Sequence, residues 1–226
     1  MLIGAVADIH GNFDALARAM DRHDEVPFWI CVGDLASRTG AYPAPARPLF
    51  WIKGNNENFD QIAAWEGGAT QPSNLHFIRN GTAATVGPLR VAGLGGTFAP
   101  TWFNTPARDL PHTARDDKRR HFVRDEAEAC KQLSNVDILM THEAARPFVL
   151  VDDESGRKAR RRDAGKPAIN DVIAGIRPRL HLCGHHHRFV ETTREGVKSV
   201  CIDRINRSYL LIDATTLAYR MIDNSL

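Results

Sequence analysis

Five short apolar runs, each ending abruptly in a cluster of metal-ligand residues, constrain this chain more than any other feature of its sequence. Leu2–Ala7 runs into Asp8-Ile9-His10, and Phe28–Val32 into Gly33-Asp34. Leu49–Ile52 is followed by Gly54-Asn55-Asn56-Glu57, Asp137–Met140 by Thr141-His142, and Leu180–Cys183 by Gly184-His185-His186-His187. Apolar runs of this length, bounded by turn residues, predict strands buried on both faces. In an open α/β sheet, sites form beyond the carboxyl ends of the strands. Five ends spread over about 180 positions can therefore meet at one cavity.

The remaining pattern supplies what such strands pack against. Asn12 is placed to cap a helix through about His23, with Phe13, Leu16, Ala17 and Met20 on one stripe. Further short strands are predicted at Leu75–Ile78, Thr82–Val86 and Leu89–Leu94, and near the end at Phe189–Thr193, Val197–Asp203 and Tyr209–Asp213. Thr97–Pro111 reads as a long irregular loop, Asp116–Leu133 as a helix, and Pro167 as the start of another helix through Gly175. Asp152–Lys166 carries the run Arg157–Arg162 and reads as a mobile charged excursion from a single domain spanning 1–226.

Composition excludes several classes. With 226 residues, 43% of them hydrophobic and 25% charged, the chain is neither disordered nor fibrous. Its formal net charge of +2 gives no general pull toward nucleic acid or anionic membrane. Cys31, Cys130, Cys183 and Cys201 are widely spaced and form no CxxC pair, so they read as reduced intracellular thiols. The first residues meet Asp8 and His10 too early for a signal peptide, and no apolar run approaches about 18 residues, so the expected location is the cytoplasm. No obligate protein partner is evident.

The strand-end clusters hold more ligands than one ion uses. Asp8, Asp34 and Asn55 offer oxygens, and His10, His142, His185 and His187 offer imidazoles. A catalytic zinc takes three protein ligands and a water. Seven ligands suit two ions about 3.5–4 Å apart that share a carboxylate, an arrangement used for phosphoester hydrolysis. Mixed nitrogen and oxygen donors fit two divalent transition-metal ions, manganese first and then iron, zinc, cobalt or nickel, and argue against calcium. Each cluster alone has an ordinary reading as a turn or helix cap. All five in order do not.

The series DIHG, GD, GNNE, TH and GHHH resembles the calcineurin-like metallophosphoesterase superfamily, and the match runs from Ile3 to His187. The resemblance implies an α/β fold, a four-layer α/β/β/α sandwich of two mixed sheets flanked by helices. It implies that Asp8, His10 and His187 hold one metal and Asn55, His142 and His185 the other, with Asp34 bridging. His186 points the other way and takes no role. More finely, GDLASR, LFWIKGNNE, GLGGTF and VDILMTHEAARP are similar in order to the catalytic domain of RNA lariat-debranching enzymes. Kinship of architecture follows from that likeness, not the substrate.

Asn56 departs from the superfamily pattern, which places a phosphate-binding, proton-donating histidine there. An amide donates a hydrogen bond but transfers no proton at neutral pH. The expected activity is hydrolysis of a phosphodiester, nucleotide or oligonucleotide, by attack of a metal-bridging hydroxide, with Asn56, Asp34 and His10 in the catalytic roles. The rivals are a phosphomonoesterase and a metal-binding scaffold without catalysis. Arg38 and Arg115 are candidate phosphate contacts, and His112 and His121 candidate substrate-binding or proton-donating residues from the loop after Gly96. The ordinary reading of each is a surface or half-buried side chain. Trp102 and Phe103 suit either base stacking or anchoring of the loop, and Arg157–Arg162 suits either steering of a polyanion or plain solvation.

Overall fold

The computed structural model describes residues 1–113, 116–152 and 160–225, with backbone alone at 150–152 and 160–162. The first sheet is built on β1 (Leu2–Val6), β2 (Phe28–Cys31), β3 (Leu49–Trp51) and β4 (Leu75–Phe77), all parallel. The second has β6 (Leu89–Leu94), β7 (Ile138–Thr141), β10 (Leu180–Cys183) and β12 (Val197–Cys201), again parallel, flanked by antiparallel β5 (Thr82–Val86) and β11 (Val190–Arg194). β13 (Ser208–Asp213) and β14 (Tyr219–Asp223) return to the first sheet and complete the order β14-β13-β1-β2-β3-β4. The second sheet has the order β11-β12-β10-β7-β6-β5.

Alternation along the strands decides what each face meets. Ile3, Ala5, Ile30, Val32 and Ile52 face inward, where they pack with Val91, Ile138, Met140, Leu180 and Leu182 of the other sheet. Val6, Trp29, Cys31, Leu49 and Trp51 face outward and bury the apolar stripes of α1 (Phe13–Arg22) and α2 (Phe59–Glu66). Ala92, Leu94 and Leu139 do the same for α3 (Arg124–Lys131) and α4 (Pro167–Ile176). Each such Val, Leu, Ile or Met side chain contributes roughly 1.5–3 kcal/mol through removal from water. The result is the four-layer α/β/β/α sandwich, with two mixed sheets of six strands.

Local chemistry sets the boundaries. The Asn12 side chain accepts from the Ala15 N–H at 3.3 Å and caps α1 where the sequence places it. The helix predicted over Asp116–Leu133 shortens to α3. The Asp117 carboxylate accepts from the Arg119 N–H at 2.9 Å and closes a tight turn over Lys118–Arg120. His121 then extends to bridge Thr97, so the helix begins only where the Glu126 carboxylate accepts from the Val123 N–H at 2.9 Å. α2 and β14 were not anticipated.

The charged excursion is also corrected in part. β8 (Val149–Asp152) and β9 (Arg160–Asp163) form an antiparallel hairpin, closed by the Asp163 carboxylate, which accepts from the Phe148 and Gly165 N–H groups at 2.8 and 3.0 Å. Ala164 is buried, and Lys166 N donates to Ala144 O at 2.9 Å. Residues 153–159, including Arg157, lie outside the described residues. Among the described residues no helix is long and apolar enough to cross a membrane.

Candidate metal centre

The carboxyl ends of β1, β2, β3, β7 and β10 meet at one edge of the two sheets, joined by their own backbones. Asp8 N donates to Gly33 O at 3.1 Å, His10 N to Asp34 O at 2.8 Å and Gly184 N to His142 O at 3.3 Å. Five residues there hold a left-handed backbone: Asp8 (φ 49°), His10 (47°), Asp34 (54°), His185 (70°) and His187 (52°). This conformation costs a non-glycine residue roughly 1–2 kcal/mol, and it persists where the surroundings over-determine it. Its effect is to turn the Asp8, His10, Asp34 and His187 side chains off their strands and toward one another. Two glycines make the room. A Cβ at Gly33 would lie 2.6 Å from His142 Nδ1, and one at Gly54 would lie 2.0 Å from Asp34 Oδ1.

The side chains converge in two groups, Asp8/His10/His187 and Asp8/Asp34/His142, each with ligand atoms within 4.8 Å of one another. In the first, His187 Nε2 is 3.3 Å and His10 Nε2 3.8 Å from Asp8 Oδ1, and the two imidazole nitrogens are 3.2 Å apart. In the second, His142 Nε2 lies 3.6 Å from Asp34 Oδ1 and 3.0 Å from Asn55 Oδ1. Asp34 stands between the groups, its other oxygen 3.5 Å from His10 Nε2.

These donors fit cations. Asp8 Oδ2 accepts from the His185 N–H at 2.9 Å, while Oδ1 is buried with no hydrogen-bond partner among the described residues. An ionised oxygen without a partner is expensive to bury, and a bound cation satisfies it. His142 Nδ1 lies 2.9 Å from Val32 O, a contact that places its proton on Nδ1 and leaves the Nε2 lone pair facing Asn55 Oδ1. Two acceptors that face each other define a place for positive charge.

Ionisation follows the same logic. Burial acts to lower the His142 pKa, but the Asp34 and Asp8 carboxylates outweigh it and hold it above its ordinary 6.5. Burial acts to raise Asp34, but His142 and the hydrogen bonds from Asn56 outweigh that and hold it below 3.8. His10 is lowered by burial, and His185 is pushed down to about 4 by the same cause, so both imidazoles are neutral at neutral pH.

His185 and Asn56 make contacts that the sequence does not imply. His185 belongs to neither compact group, and its Nε2 faces Glu143 Oε1 at 3.6 Å. Asn56 grips Asp34, its N–H donating to Oδ1 at 2.7 Å and its amide Nδ2 to Oδ2 at 2.8 Å.

Two carboxylates that the sequence reading passed over support the site. Glu143 is buried, accepts from the Phe98 N–H at 3.2 Å and pairs with Lys166 at 3.5 Å. Glu57 accepts from the N–H groups of Leu35, Ala36 and Gly54 at 3.0–3.1 Å, which ties the β2 end to the β3 end, and burial raises its pKa to about 7. Their position directly behind His142 and within the Gly54–Glu57 cluster was the available signal.

A cleft of about 1280 Å³ opens over the centre and is lined by Asp8, His10, Asn55, Asn56 and His187, with Arg38, His112 and Arg204 at its walls. His121 is corrected: its Nδ1 lies 2.9 Å from Thr97 Oγ1, so it anchors the loop and does not line the cleft. Phe103 packs against Phe98 and Phe122, and Trp102 lies under Lys118, which favours the anchoring reading for both. Arg115 lies outside the described residues.

The model of calcineurin-like phosphoesterases matches residues 1–189. A lariat debranching enzyme of Schizosaccharomyces pombe is 24% identical over 194 residues, covering 79% of this chain and 42% of that protein. The chain thus spans about two-fifths of the length of that relative. A Thermus thermophilus crystal structure superposes with a TM-score of 0.64 at 15% identity, over 99% of this chain and 98% of that one. An archaeal phosphodiesterase superposes with a TM-score of 0.54 at 12% identity, over 99% of each chain. At such identities these structural likenesses speak to the fold.

Proposed function

The chain belongs to the calcineurin-like phosphoesterase family, and from that premise we propose that it is a metal-dependent phosphoester hydrolase that cleaves phosphodiesters of nucleotides or oligonucleotides at a two-metal centre. The observation that carries the reading is the pair of converging donor groups joined by Asp8 and Asp34, with the Asp8 oxygen left unpartnered. Asp8, His10 and His187 would hold one ion. Asn55 and His142 would hold the second, with Asp34 shared, and His185 would join through Nδ1, the nitrogen that does not face Glu143. Mixed nitrogen and oxygen donors favour manganese among the divalent transition metals. Such ions supply positive charge beside the phosphoryl oxygens and acidify water.

This chain's own residues then orient and polarise. Asn56 is committed to Asp34 through both of its nitrogens and so fixes the shared carboxylate, and it transfers no proton. Arg38 and His112 are placed along the cleft to meet flanking phosphate or base. The cleft exceeds the roughly 300–1,000 Å³ usual for small molecules, which favours a substrate with groups on both sides of the scissile bond. The relative's name, a lariat debranching enzyme, supports a nucleic-acid phosphodiester. The four buried, free cysteines support work in the cytoplasm.

The test is a comparison of kcat/KM on bis(p-nitrophenyl) phosphate, p-nitrophenyl phosphate and short oligonucleotides with Mn²⁺-loaded protein. Diesters should exceed the monoester by at least tenfold. A preference for the monoester would replace this reading with the phosphomonoesterase one.

A further inference from the structure

Arg204 stands beside the centre in a position that bound metal would not leave unchanged. Its backbone bridges Ala7, and Ile205 N donates to Ala7 O at 3.1 Å, so it is held next to the β1 end that carries Asp8. The neighbouring carboxylate, Asp203, accepts from the Arg204 N–H at 2.7 Å and pairs with Arg207 at 3.6 Å. The Arg204 guanidinium itself lines the cleft, and its Nη2 lies 2.7 Å from His187 Nδ1.

An arginine only donates, so His187 Nδ1 accepts and the imidazole proton sits on Nε2. That proton points at His10 Nε2, 3.2 Å away, and completes a chain Arg204–His187–His10. Neither imidazole nitrogen of His187 is then free. A cation held by Nδ1 needs the lone pair that Arg204 occupies. A cation held by Nε2 requires the proton to move to Nδ1, where two donors would face each other at hydrogen-bond distance. The Arg204 contact and metal ligation by His187 are mutually exclusive through either nitrogen.

We propose that Arg204 is a substrate-phosphate-binding residue that metal loading releases from His187 into the cleft. Released, it is a guanidinium at the rim of a phosphoester site with no carboxylate pairing it among the described residues. Its fork matches two phosphate oxygens. The assignment rests on the metal-dependent reading above. It also gives the cleft a device of order, because substrate is gripped from this side only after the metal is in place.

The experiment uses wild type, Arg204→Met and, as a control for charge, Arg38→Met, which removes a cleft arginine that has no histidine contact among the described residues. Mn²⁺ affinity is measured by titration calorimetry on metal-free protein. Arg204→Met should bind Mn²⁺ about tenfold more tightly, and Arg38→Met no more than about twofold. In Mn²⁺-loaded protein, Arg204→Met should raise KM for bis(p-nitrophenyl) phosphate by roughly tenfold or more, the range of a hydrogen bond to a charged group. Long-range ¹H–¹⁵N spectra of metal-free wild type should show the Nε2–H tautomer of His187. Equal Mn²⁺ affinities in the two variants, an unchanged KM, or an Nδ1–H tautomer in metal-free wild type would each overturn the assignment. Failure of wild type to bind Mn²⁺, or to hydrolyse any phosphoester, would instead overturn the reading beneath it, and the tautomer would still decide whether Arg204 holds His187.

Discussion

Asn56 holds Asp34 at two points, with its backbone N–H 2.7 Å from Oδ1 and its amide Nδ2 2.8 Å from Oδ2. The residue that stands where a proton-donating histidine is expected therefore serves Asp34. Wild type should depend steeply on leaving-group acidity, because the departing oxygen leaves largely unprotonated. General acid catalysis is worth ~10²–10⁴-fold, and Asn56→His should recover part of it on poor leaving groups, less whatever the lost grip on Asp34 takes away. Rates on aryl phosphodiesters of graded leaving-group pKa decide this. A shallow slope in wild type, lost selectively in His112→Ala, would assign the proton to His112.

The grip also predicts a metal effect. Asn56→Ala removes one hydrogen bond to an ionised oxygen, and losses of such supporting partners typically weaken metal affinity by about 10–100-fold. Calorimetric titration with Mn²⁺ checks it. An unchanged affinity would show that Asp34 keeps its place without Asn56.

The close approach at Gly54 predicts a contrast between two alanine substitutions. Gly54→Ala would set a Cβ 2.0 Å from Asp34 Oδ1 and should abolish metal binding, destabilising the fold by about 3 kcal/mol or more. Gly68→Ala meets a left-handed backbone, φ 99°, which Gly54 does not have, but nothing lies within 4 Å of its Cβ, so it should cost only roughly 1–2 kcal/mol and leave metal binding intact. Thermal melts and metal content of the two variants measure the difference.

Much of this was legible beforehand, for identifiable reasons. The β1 to β3 strands announce themselves because they read as unbroken apolar runs, and Asn12 announces α1 because its cap chemistry is local. Asp8, His10, Asp34, Asn55, His142 and His187 stand out as candidate ligands because each sits just beyond such a run's end. The helix over Asp116–Leu133 was overextended because the Asp117 turn and the Thr97–His121 bridge are tertiary choices. α2 was missed because it is eight residues long and directly follows the Gly54–Glu57 cluster. Arg204 carried no signal at all: its importance comes from meeting His187 across 17 residues of hairpin. The left-handed backbone of Asp8, His10, Asp34, His185 and His187 was equally invisible, since none is glycine.

The metal-free protein should show a pH window set by Asp34 and His142. Asp34 is lowered in the fold, so its stabilisation is present above its ordinary pKa of 3.8 and lost as pH falls through its folded value. His142 is raised, so its stabilisation is full below 6.5 and lost as pH rises through its folded value. The stabilisation this pair contributes to the metal-free protein, read as the difference in melting temperature between wild type and Asp34→Asn, should therefore be greatest between about pH 4 and pH 6.5. Saturating Mn²⁺ should remove the loss on the alkaline side, because the ion then supplies the charge that the His142 proton provided. A metal-free difference that is the same at pH 6 and pH 8.5 would contradict the pairing.

The central claim is the two-ion centre, and metal stoichiometry tests it most directly. Metal-free protein saturated with Mn²⁺ and freed of excess should contain two ions per chain by elemental analysis, and Asp34→Ala, which removes the shared carboxylate, should contain none at the same free Mn²⁺. Two ions in wild type and their loss in Asp34→Ala are the predicted result, and one ion or fewer in saturated wild type would contradict the account.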